Sequence, residues 1–327
     1  MPAGALVELA RVAEQCGVHT VLCGEVAGPE VMVLLGAVAN ATSRVRMASG
    51  IVSTYTRTPT LAAMGFATLS SLAPGRVVAG FGASSPIVIG RWHGLPFDAP
   101  YTRTLEFVAA FRACLGGGKV DYEGTHVAVH DFRLATDPGG PIPVWLAAIN
   151  PRMLRLAGAV ADGVFLTWCR PEEIPGKIAA VRDGAAEAGR NPDEVEVVAS
   201  FWGYAGPDIE RATERLRRVI LSYATVPTHA AAFVEAVPDL AAATRAWNDG
   251  DRAGALALVP DTVVHELCAV SEDGSAGALL ARRFHEAGVD LPIVLAIGAG
   301  GGDHDGPFTT VQRTAQQLGL TAMVTGP

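Results

Sequence analysis

The sequence predicts an α/β protein in which helices cover both faces of a parallel sheet. Three observations support this prediction: apolar strand-like segments alternate with helical segments, half of the 327 residues are hydrophobic, and only 18% are charged. Near-continuous apolar strands are typical of parallel sheets that are buried on both faces. A chain of this length can bury roughly three quarters of the surface that its unfolded form exposes.

The first elements follow from the spacing of apolar residues. Apolar side chains recur at helical intervals from Leu6 to Cys16, and Gly17 ends this helix. The run VHTVLC predicts a short buried strand, and Pro29 marks the first turn of the next helix. The same alternation of strand and helix continues through VRMASGIV, TPTLAAMGFATLSSLA, RVVAGF and YTRTLEFVAAFRACLG.

Two insertions interrupt this alternation. At about 116–140, the segment KVDYEGTHVAVHDFRL alternates apolar and polar residues and predicts a hairpin. At about 206–265, the sequence is mostly helical. The remaining elements are PVWLAAI, PRMLRLAGAV, GVFLTW, PEEIPGKIAAVRDGAAEAG, VEVVASFWGYA, SAGALLARRFHEAG, LPIVLAI and GPFTTVQRTAQQLG. We therefore expect residues 1–327 to form a single domain with two insertions.

The number of strands is one short of a closed barrel. Seven buried strands are predicted, an eight-stranded (β/α)8 barrel needs one more, and the chain begins with a helix where that architecture begins with a strand. Three explanations stay open: a coding start further upstream, an open barrel covered by a partner subunit, or a tail at Leu320–Gly326 that returns as a strand. A doubly wound sheet is the architectural alternative.

Charge and composition exclude several classes of partner. The formal net charge is −8, and no run or face of Lys and Arg is present, so nucleic acid and anionic membranes are poor partners. The chain shows neither a signal-peptide pattern nor an apolar run of membrane-spanning length, which predicts a cytoplasmic protein. The five cysteines form no CxxC pair, and we expect buried, reduced thiols and no metal site.

Two segments of small residues follow predicted strands. The stretch RVVAGFGASSP changes from an apolar strand to the small residues 82–85, which leave backbone N–H groups open to an anionic ligand, with a tight surface turn as the alternative. The stretch IGAGGGD, 297–303, lacks the GxGxxG spacing and an immediate helix. We interpret the second stretch as a flexible loop, with a phosphate site after a late strand as the alternative.

Several stretches together resemble the luciferase-like (bacterial luciferase superfamily) oxidoreductases, in particular the branch that uses the deazaflavin coenzyme F420. They are ATSRVRMASGIV, LAPGRVVAGFGASSP, WHGLPFD, YTRTLEFV, PIPVWLAAINPRMLRLAGAVADGVFL and FHEAGVDLPIVL, and they cover about residues 3–320. The resemblance implies a (β/α)8 TIM barrel that lacks the usual N-terminal first strand, with the cofactor at the carboxyl ends of the strands. It also implies an F420-dependent oxidoreductase that transfers a hydride to or from a small to medium-sized organic substrate.

The resemblance further implies two backbone contacts with the phosphate-bearing tail of the cofactor. The first contact consists of Gly82, Ala83, Ser84 and Ser85. The second is the turn at Ala147, Ala148, Asn150, Pro151 and Arg152. A helix start and a charged side chain favour an anion at this turn. Relatives usually have glycine where this chain has Asn150, and asparagine tolerates the left-handed backbone that glycine takes.

The resemblance also points to groups around the ring of the cofactor. The family has a non-proline cis peptide behind the ring, which would lie near Ser49, Gly50 and Ile51. Glu25 matches an acidic residue beside the ring, so we expect it to anchor the cofactor or to transfer a proton. Relatives often follow this acid with a histidine, but here Val26 follows. His93 or water would then supply the proton.

Other residues are candidates for the substrate pocket. These residues are Tyr55, Arg57, Trp92, Trp168 and Trp202. Core packing is the alternative for the tryptophans that end strands. Two other functions stay open: an FMN-dependent luciferase-like monooxygenase, and a cofactor-free structural or regulatory homologue of the barrel. Many relatives dimerise, so a homodimer is also expected.

Overall fold

The computed structural model describes residues 1–320, apart from the side chains at 231, 232, 235 and 236. The strands are β1 (Thr20–Cys23), β2 (Arg46–Ser49), β3 (Val52–Ser53), β4 (Val77–Gly82), β5 (Val120–Glu123), β6 (Ala128–Phe132), β7 (Val144–Ala147), β8 (Gly163–Thr167), β9 (Glu196–Ala205), β10 (Cys268–Ser271) and β11 (Leu291–Ala296). The helices are α1 (Ala3–Gln15), α2 (Val31–Ala41), α3 (Pro59–Leu72), α4 (Pro100–Leu115), α5 (Pro151–Val160), α6 (Ile174–Glu187), α7 (Ile209–Ala224), α8 (Pro227–Ala236), α9 (Leu240–Asn248), α10 (Arg252–Ala257), α11 (Asp261–Leu267), α12 (Ser275–Glu286) and α13 (Gly306–Gln317).

Seven parallel strands form a nearly closed barrel, which confirms the predicted (β/α)8 architecture over the doubly wound alternative. Their order is β1, β2, β4, β7, β8, β9 and β11. Within residues 1–320, no strand lies between β11 and β1, so one position of the barrel is vacant there. The surrounding helices nevertheless meet across this position, because α1 packs against α13. The tail proposed for the vacant position lies, beyond Leu320, outside the described residues.

One side chain from each of six neighbouring strands, β2, β4, β7, β8, β9 and β11, packs in the interior of the barrel. The residues packed there are Ala48, Val78, Trp145, Phe165, Val198 and Ile293. At the amino-terminal end of the barrel, Arg46 forms a two-pronged ion pair with Glu196 at 2.8 and 3.0 Å. Trp145 Nε1 donates to the same carboxylate at 3.0 Å. This partly buried network stabilises the end of the barrel opposite the carboxyl ends of the strands.

Local signals explain where the helices start. Thr58 caps α3 by accepting from the N–H of Leu61 at 3.2 Å, and Pro59 occupies the first position of that helix. The sequence predicts Pro29 in the first turn of α2, but this helix begins at Val31 with Glu30 as its N-cap. The helix starts later than predicted because Glu30 is its N-cap. The Glu30 carboxylate accepts from the N–H of Val33 at 2.7 Å, so Pro29 lies in the preceding loop.

The two insertions differ in how they attach to the barrel. The hairpin of β5 and β6 is held by Glu106, whose buried carboxylate accepts from the N–H groups of Thr125, His126 and Val127. Burial would raise the pKa of Glu106, but these three hydrogen bonds outweigh burial and lower it. The helices α7 to α11 instead form a second apolar core at the carboxyl ends of β8 and β9. The short strand β10 at the end of this insertion is absent from the sequence prediction.

Three further observations concern the expected environment of the chain. None of the helices in residues 1–320 combines the length and the apolar character that crossing a membrane requires. All five cysteines are free thiols, and three of them are buried. Burial raises the pKa of Cys23 and of Cys169 to about 12, so these thiols are unreactive near neutral pH.

Candidate functional site

The carboxyl ends of β2, β4 and β7 meet at one edge of the barrel. Strands β4 and β7 pair with Phe81 opposite Leu146, which places Gly82 beside Ala147. A Cβ atom added to Gly82 would lie 3.0 Å from Ile51 Cδ1 and 3.3 Å from Ala147 Cβ. The three segments that the sequence assigns to the cofactor are therefore neighbours, and only a small residue fits between them.

The loop after β4 leaves several backbone donors without a partner. Within the part of the chain that the structure describes, the N–H groups of Ala83, Ser84 and Ser85 form no hydrogen bond. Ser84 has a left-handed backbone with φ of 65°, a conformation that turns successive N–H groups toward one side of the chain. Ser85 is buried, and its Oγ accepts from the N–H of Val88 at 3.3 Å at the start of a π-helical turn.

The turn between β7 and α5 lies beside this loop. Asn150 caps α5, and its Oδ1 accepts from the N–H of Met153 at 3.0 Å. The expectation of a left-handed backbone at Asn150 is wrong: φ is −92° and ψ is 157°, the extended conformation that an N-cap residue takes. Pro151 occupies the first helical position, and the guanidinium of Arg152 lies 4.2 Å from the centre of the Tyr101 ring. Ala148 donates its N–H to Phe165 O at 3.2 Å and so has no free donor.

The peptide bond between Gly50 and Ile51 is cis, as expected from the resemblance. Ser49 is not available as a side-chain ligand, because its hydroxyl donates to Gly80 O at 2.8 Å and accepts from Gly80 N at 2.9 Å. A Cβ atom on Gly50 would lie 2.3 Å from Leu22 Cγ, so this position also requires glycine. Ser49 thus links β2 to β4, and Ile51 presents its side chain to the edge that Gly82 occupies.

Glu25 and Arg57, predicted separately, form one ion-paired group at the end of β1. Arg57 Nη2 donates to Glu25 Oε1 at 2.9 Å, and it also contacts Glu30. The N–H of Val31 donates to Glu25 Oε1 at 3.1 Å. Arg57 Nε is buried and has no hydrogen-bond partner among residues 1–320. The sequence contains no motif that pairs Glu25 with Arg57, because 32 residues separate them.

The remaining substrate candidates divide into two groups. Tyr55 connects two loops: its hydroxyl donates to Asp98 O, and its ring stacks on Phe97 with centres 5.0 Å apart. Trp92 and His93 lie on an exposed turn, and the His93 ring has no hydrogen-bond partner in the described part of the chain. The structure therefore does not bring His93 into contact with Glu25, and its catalytic role stays a prediction.

Trp168 and Trp202 belong to an aromatic cluster above the carboxyl ends of β8 and β9. Their rings stack with centres 6.1 Å apart and an interplanar angle of 27°. Tyr223 of α7 lies 5.0 Å from Trp168, and Phe233 of α8 lies 5.4 Å from it. The ring of His229 stacks on Tyr223 at 5.9 Å. The sequence gives no signal for Tyr223, His229 or Phe233, because they lie in a helical insertion without a motif.

The glycine-rich loop after β11 is partly held by one of its own carboxylates, and its flexibility stays a prediction. Asp303 Oδ2 accepts from the N–H of Ala299 at 2.7 Å, and Asp303 Oδ1 accepts from the N–H of Gly306 at 2.8 Å. Arg215 Nη1 donates to the carbonyl oxygens of Gly298 and Gly300 at 2.8 and 3.3 Å. Within residues 1–320, the N–H groups of Gly300, Gly301 and Gly302 form no hydrogen bond, so the alternative of a phosphate site in this loop stays a prediction.

A family model described as luciferase-like monooxygenase matches residues 1–291, which contain the strand ends described above. The chain belongs to the luciferase-like monooxygenase family. Solved structures with the luciferase-like fold agree with this membership. One is a coenzyme F420 dependent tetrahydromethanopterin reductase from Methanopyrus kandleri, with a TM-score of 0.81 and 24% identity over 97% of this chain and 96% of that one. Another is an F420-dependent secondary alcohol dehydrogenase in complex with an F420-acetone adduct, with a TM-score of 0.80 and 22% identity over 97% of this chain and 96% of that one.

Curated luciferase-like relatives are similar at the level of sequence. A 5,10-methylenetetrahydromethanopterin reductase of Methanopyrus kandleri is 30% identical over 66% of this chain and 66% of its own length. An F420-dependent glucose-6-phosphate dehydrogenase of Mycolicibacterium fortuitum is 30% identical over 65% of this chain and 68% of its own length. A 5,10-methylenetetrahydromethanopterin reductase of Methanolobus tindarius matches over 59% of this chain and 59% of its own length. The chain thus matches about three fifths to two thirds of the length of these relatives.

Proposed function

We propose that this chain is an F420-dependent oxidoreductase that transfers a hydride between the deazaflavin and a small to medium-sized organic substrate. The observation that carries the proposal is the group of unpartnered N–H donors at Ala83, Ser84 and Ser85, beside the start of α5. Buried or partly buried N–H groups without a partner are rare in folded proteins, and an anionic ligand accounts for them. The names of the relatives support F420 as that ligand.

The residues present fit the phosphate-bearing tail of F420. The loop from Gly82 to Ser85 would hold it with backbone N–H groups, and the N–H groups of Asn150 and Arg152 at the start of α5 would hold it from the other side. Gly82 and Ala147 keep the approach open, because a larger residue at Gly82 would meet Ile51. When bound, F420 supplies the carbon that gives or takes the hydride.

Glu25 is positioned to hold a hydrogen-bond donor beside the cofactor rather than to give up a proton. Both groups that contact its carboxylate, the Arg57 guanidinium and the Val31 N–H, are themselves donors. We infer that Arg57 orients Glu25 and does not contact the substrate. His93 or a water molecule stays the proposed source of the proton. Tyr55 and Trp92 would line the approach to the site.

An FMN-dependent monooxygenase is the second candidate, since the matching family model carries that description. A titration that follows melting temperature separates the candidates, because a bound ligand raises it in proportion to ln(1 + [L]/Kd). We expect F420 to raise the melting temperature and FMN to leave it nearly unchanged. A rise with FMN alone would favour the monooxygenase. No rise with either cofactor would favour a cofactor-free homologue and contradict the proposal.

We further propose a single-domain cytoplasmic protein that pairs with a second copy of itself through α2 and α3. These two adjacent helices contain no charged residue, yet Val33, Leu61 and Met64 are exposed on them. A helix that is apolar on all sides is normally buried. Because the face is uncharged, two copies with a net charge of −8 each can meet there without local repulsion.

The substitution Leu61→Asp tests this pairing. We expect it to convert a dimer to a monomer at micromolar concentration, as measured by light scattering after gel filtration, because the variant buries an unpaired charge. Leu279→Asp is the matched control, since Leu279 is similarly exposed on α12, outside the proposed interface. A Leu61→Asp variant that stays dimeric would contradict the proposed interface.

A further inference from the structure

The aromatic cluster contains three buried side-chain nitrogen atoms without a hydrogen-bond partner. They are Trp168 Nε1, Trp202 Nε1 and His229 Nδ1, and each is unpartnered within residues 1–320. An unsatisfied buried polar atom destabilises a protein, so three of them in one cluster call for a physical reason. An incoming ligand with an acceptor oxygen would satisfy the two indole N–H donors.

The backbone at this cluster is also unusual. Trp168 has φ of 53°, a left-handed conformation that is rare and destabilising for a bulky residue. Strained residues of this kind concentrate at ligand sites, where the surrounding structure imposes them. The ring of Trp168 lies against those of Trp202, Tyr223 and Phe233.

The position of Trp202 connects the cluster with the interior of the barrel. Its side chain lies four residues beyond Val198, which packs in the interior, and side chains two or four apart along a strand point to the same side. Trp202 is partly exposed, whereas Trp168 is buried behind it. The part-exposed indole therefore faces the carboxyl-terminal mouth of the barrel, the side on which the cofactor cradle lies.

The cluster carries no charge at neutral pH. Burial lowers the pKa of His229 and raises the pKa of Tyr223, so both side chains are neutral. The remaining members, Trp168, Trp202 and Phe233, have no ionisable group. A phosphorylated substrate normally requires Arg or Lys to pair with its phosphate, and the cluster offers neither.

We propose that this cluster is the substrate subsite and that it selects a neutral aromatic carbonyl compound over a sugar phosphate. The aromatic ring of the substrate packs against Trp202, and its carbonyl oxygen accepts from the indole N–H groups of the cluster, with His229 as a further partner. The choice of a carbonyl compound rests on the proposed hydride transfer, whereas the neutral, aromatic character of the subsite rests on the cluster alone.

The test uses 4-fluoroacetophenone as the neutral probe and glucose 6-phosphate as the anionic one. Fluorine and phosphorus NMR titrations on the whole chain, with and without F420, give the Kd of each probe. We expect 4-fluoroacetophenone to bind at least tenfold more tightly than glucose 6-phosphate. Tighter binding of glucose 6-phosphate would overturn the proposal. Because the titration is also run without F420, it tests the subsite even if the chain fails to bind the cofactor, which would contradict only the proposed function.

Two substitutions assign the binding to the cluster. Trp202→Phe keeps an aromatic ring and deletes the N–H, so the Kd of 4-fluoroacetophenone is expected to rise about 3- to 10-fold with the Kd of F420 unchanged. His229→Phe keeps the stacking on Tyr223 and is also expected to raise the Kd of 4-fluoroacetophenone. This variant replaces Trp202→Phe in the test if the Trp202 variant does not fold. Trp247→Phe is the control, because Trp247 contacts Arg252 on the separate helices α9 and α10. Equal effects of the Trp202, His229 and Trp247 variants would overturn the assignment.

Discussion

Two loops of small residues follow barrel strands on the same side of the molecule and differ in whether one of their own carboxylates accepts from their backbone N–H groups. After β4, the N–H groups of Ala83, Ser84 and Ser85 have no partner among the described residues. After β11, the carboxylate of Asp303 accepts from both Ala299 and Gly306, whereas the N–H groups of Gly300, Gly301 and Gly302 have no partner among residues 1–320. The two loops have similar composition, but the second holds a negative charge of its own, so we expect an anion to bind the first loop more readily.

The largest effect is expected from a charge placed in the open loop. Ser84→Asp should raise the Kd of F420 about 100- to 1,000-fold in a fluorescence titration, because like charges about 4 Å apart repel by roughly 4 kcal/mol at an effective dielectric of 20. The left-handed backbone at Ser84 suits both aspartate and asparagine, so neither substitution strains the loop. Ser84→Asn is the matched neutral control and should bind within about threefold of the unchanged protein. An unchanged Kd for the Asp variant would show that the anionic tail does not reach this loop.

A smaller effect is expected when the internal acceptor of the closed loop is removed. Asp303→Ala should lower the free energy of unfolding by about 1–3 kcal/mol, measured by urea denaturation, because two N–H groups lose their acceptor and Arg215 loses a nearby negative charge. The Kd of F420 should not change. Phosphate should then raise the melting temperature of the variant more than that of the unchanged protein, since the freed donors can bind it. Equal responses to phosphate would mean that Asp303 does not mimic a bound anion.

The smallest effect concerns pH. Burial would raise the pKa of Asp303, but hydrogen bonds from Ala299, Gly306 and Asp305 outweigh it and hold the pKa below its ordinary value. A depressed pKa in the folded state contributes stability that is present above the unfolded pKa, near 3.9, and is lost as pH falls through the folded value. The melting temperature of the unchanged protein should therefore fall more steeply below pH 4 than that of Asp303→Asn. Parallel curves for the two proteins would contradict this assignment.

The sequence predicts the barrel well because its signals are local. Apolar runs, helical spacing and residues such as Pro59 and Pro151 depend only on neighbouring positions, and the strands and helices of the barrel follow them closely. The strand β10 is missed because four residues after a helix carry too weak a pattern. At Asn150, an argument from glycine in relatives gives the wrong backbone, since a capping side chain replaces the need for a left-handed turn.

The arrangement of the site is less predictable because its contacts are not local in the sequence. The pairing of Glu25 with Arg57, and that of Trp168 with Tyr223, joins residues that are distant in sequence. No short motif reports such contacts, because the fold alone brings them together. The family resemblance identifies several members of these groups, but it does not reveal that Ser49 is already committed to Gly80 or that Asp303 accepts from Ala299 in its own loop.

The vacant position between β11 and β1 gives this barrel a seam. A closed ring of strands has no free edge, so it opens only when some pair of strands separates. In this molecule the outer edges of β1 and β11 have no strand partner within residues 1–320, and Leu22 and Leu295 beside the seam are only partly buried. For the sheet formed by residues 1–320, we therefore expect local opening to start at the seam and to reach β4 and β7 last, which leaves the cradle for the cofactor in the most persistent part of the sheet.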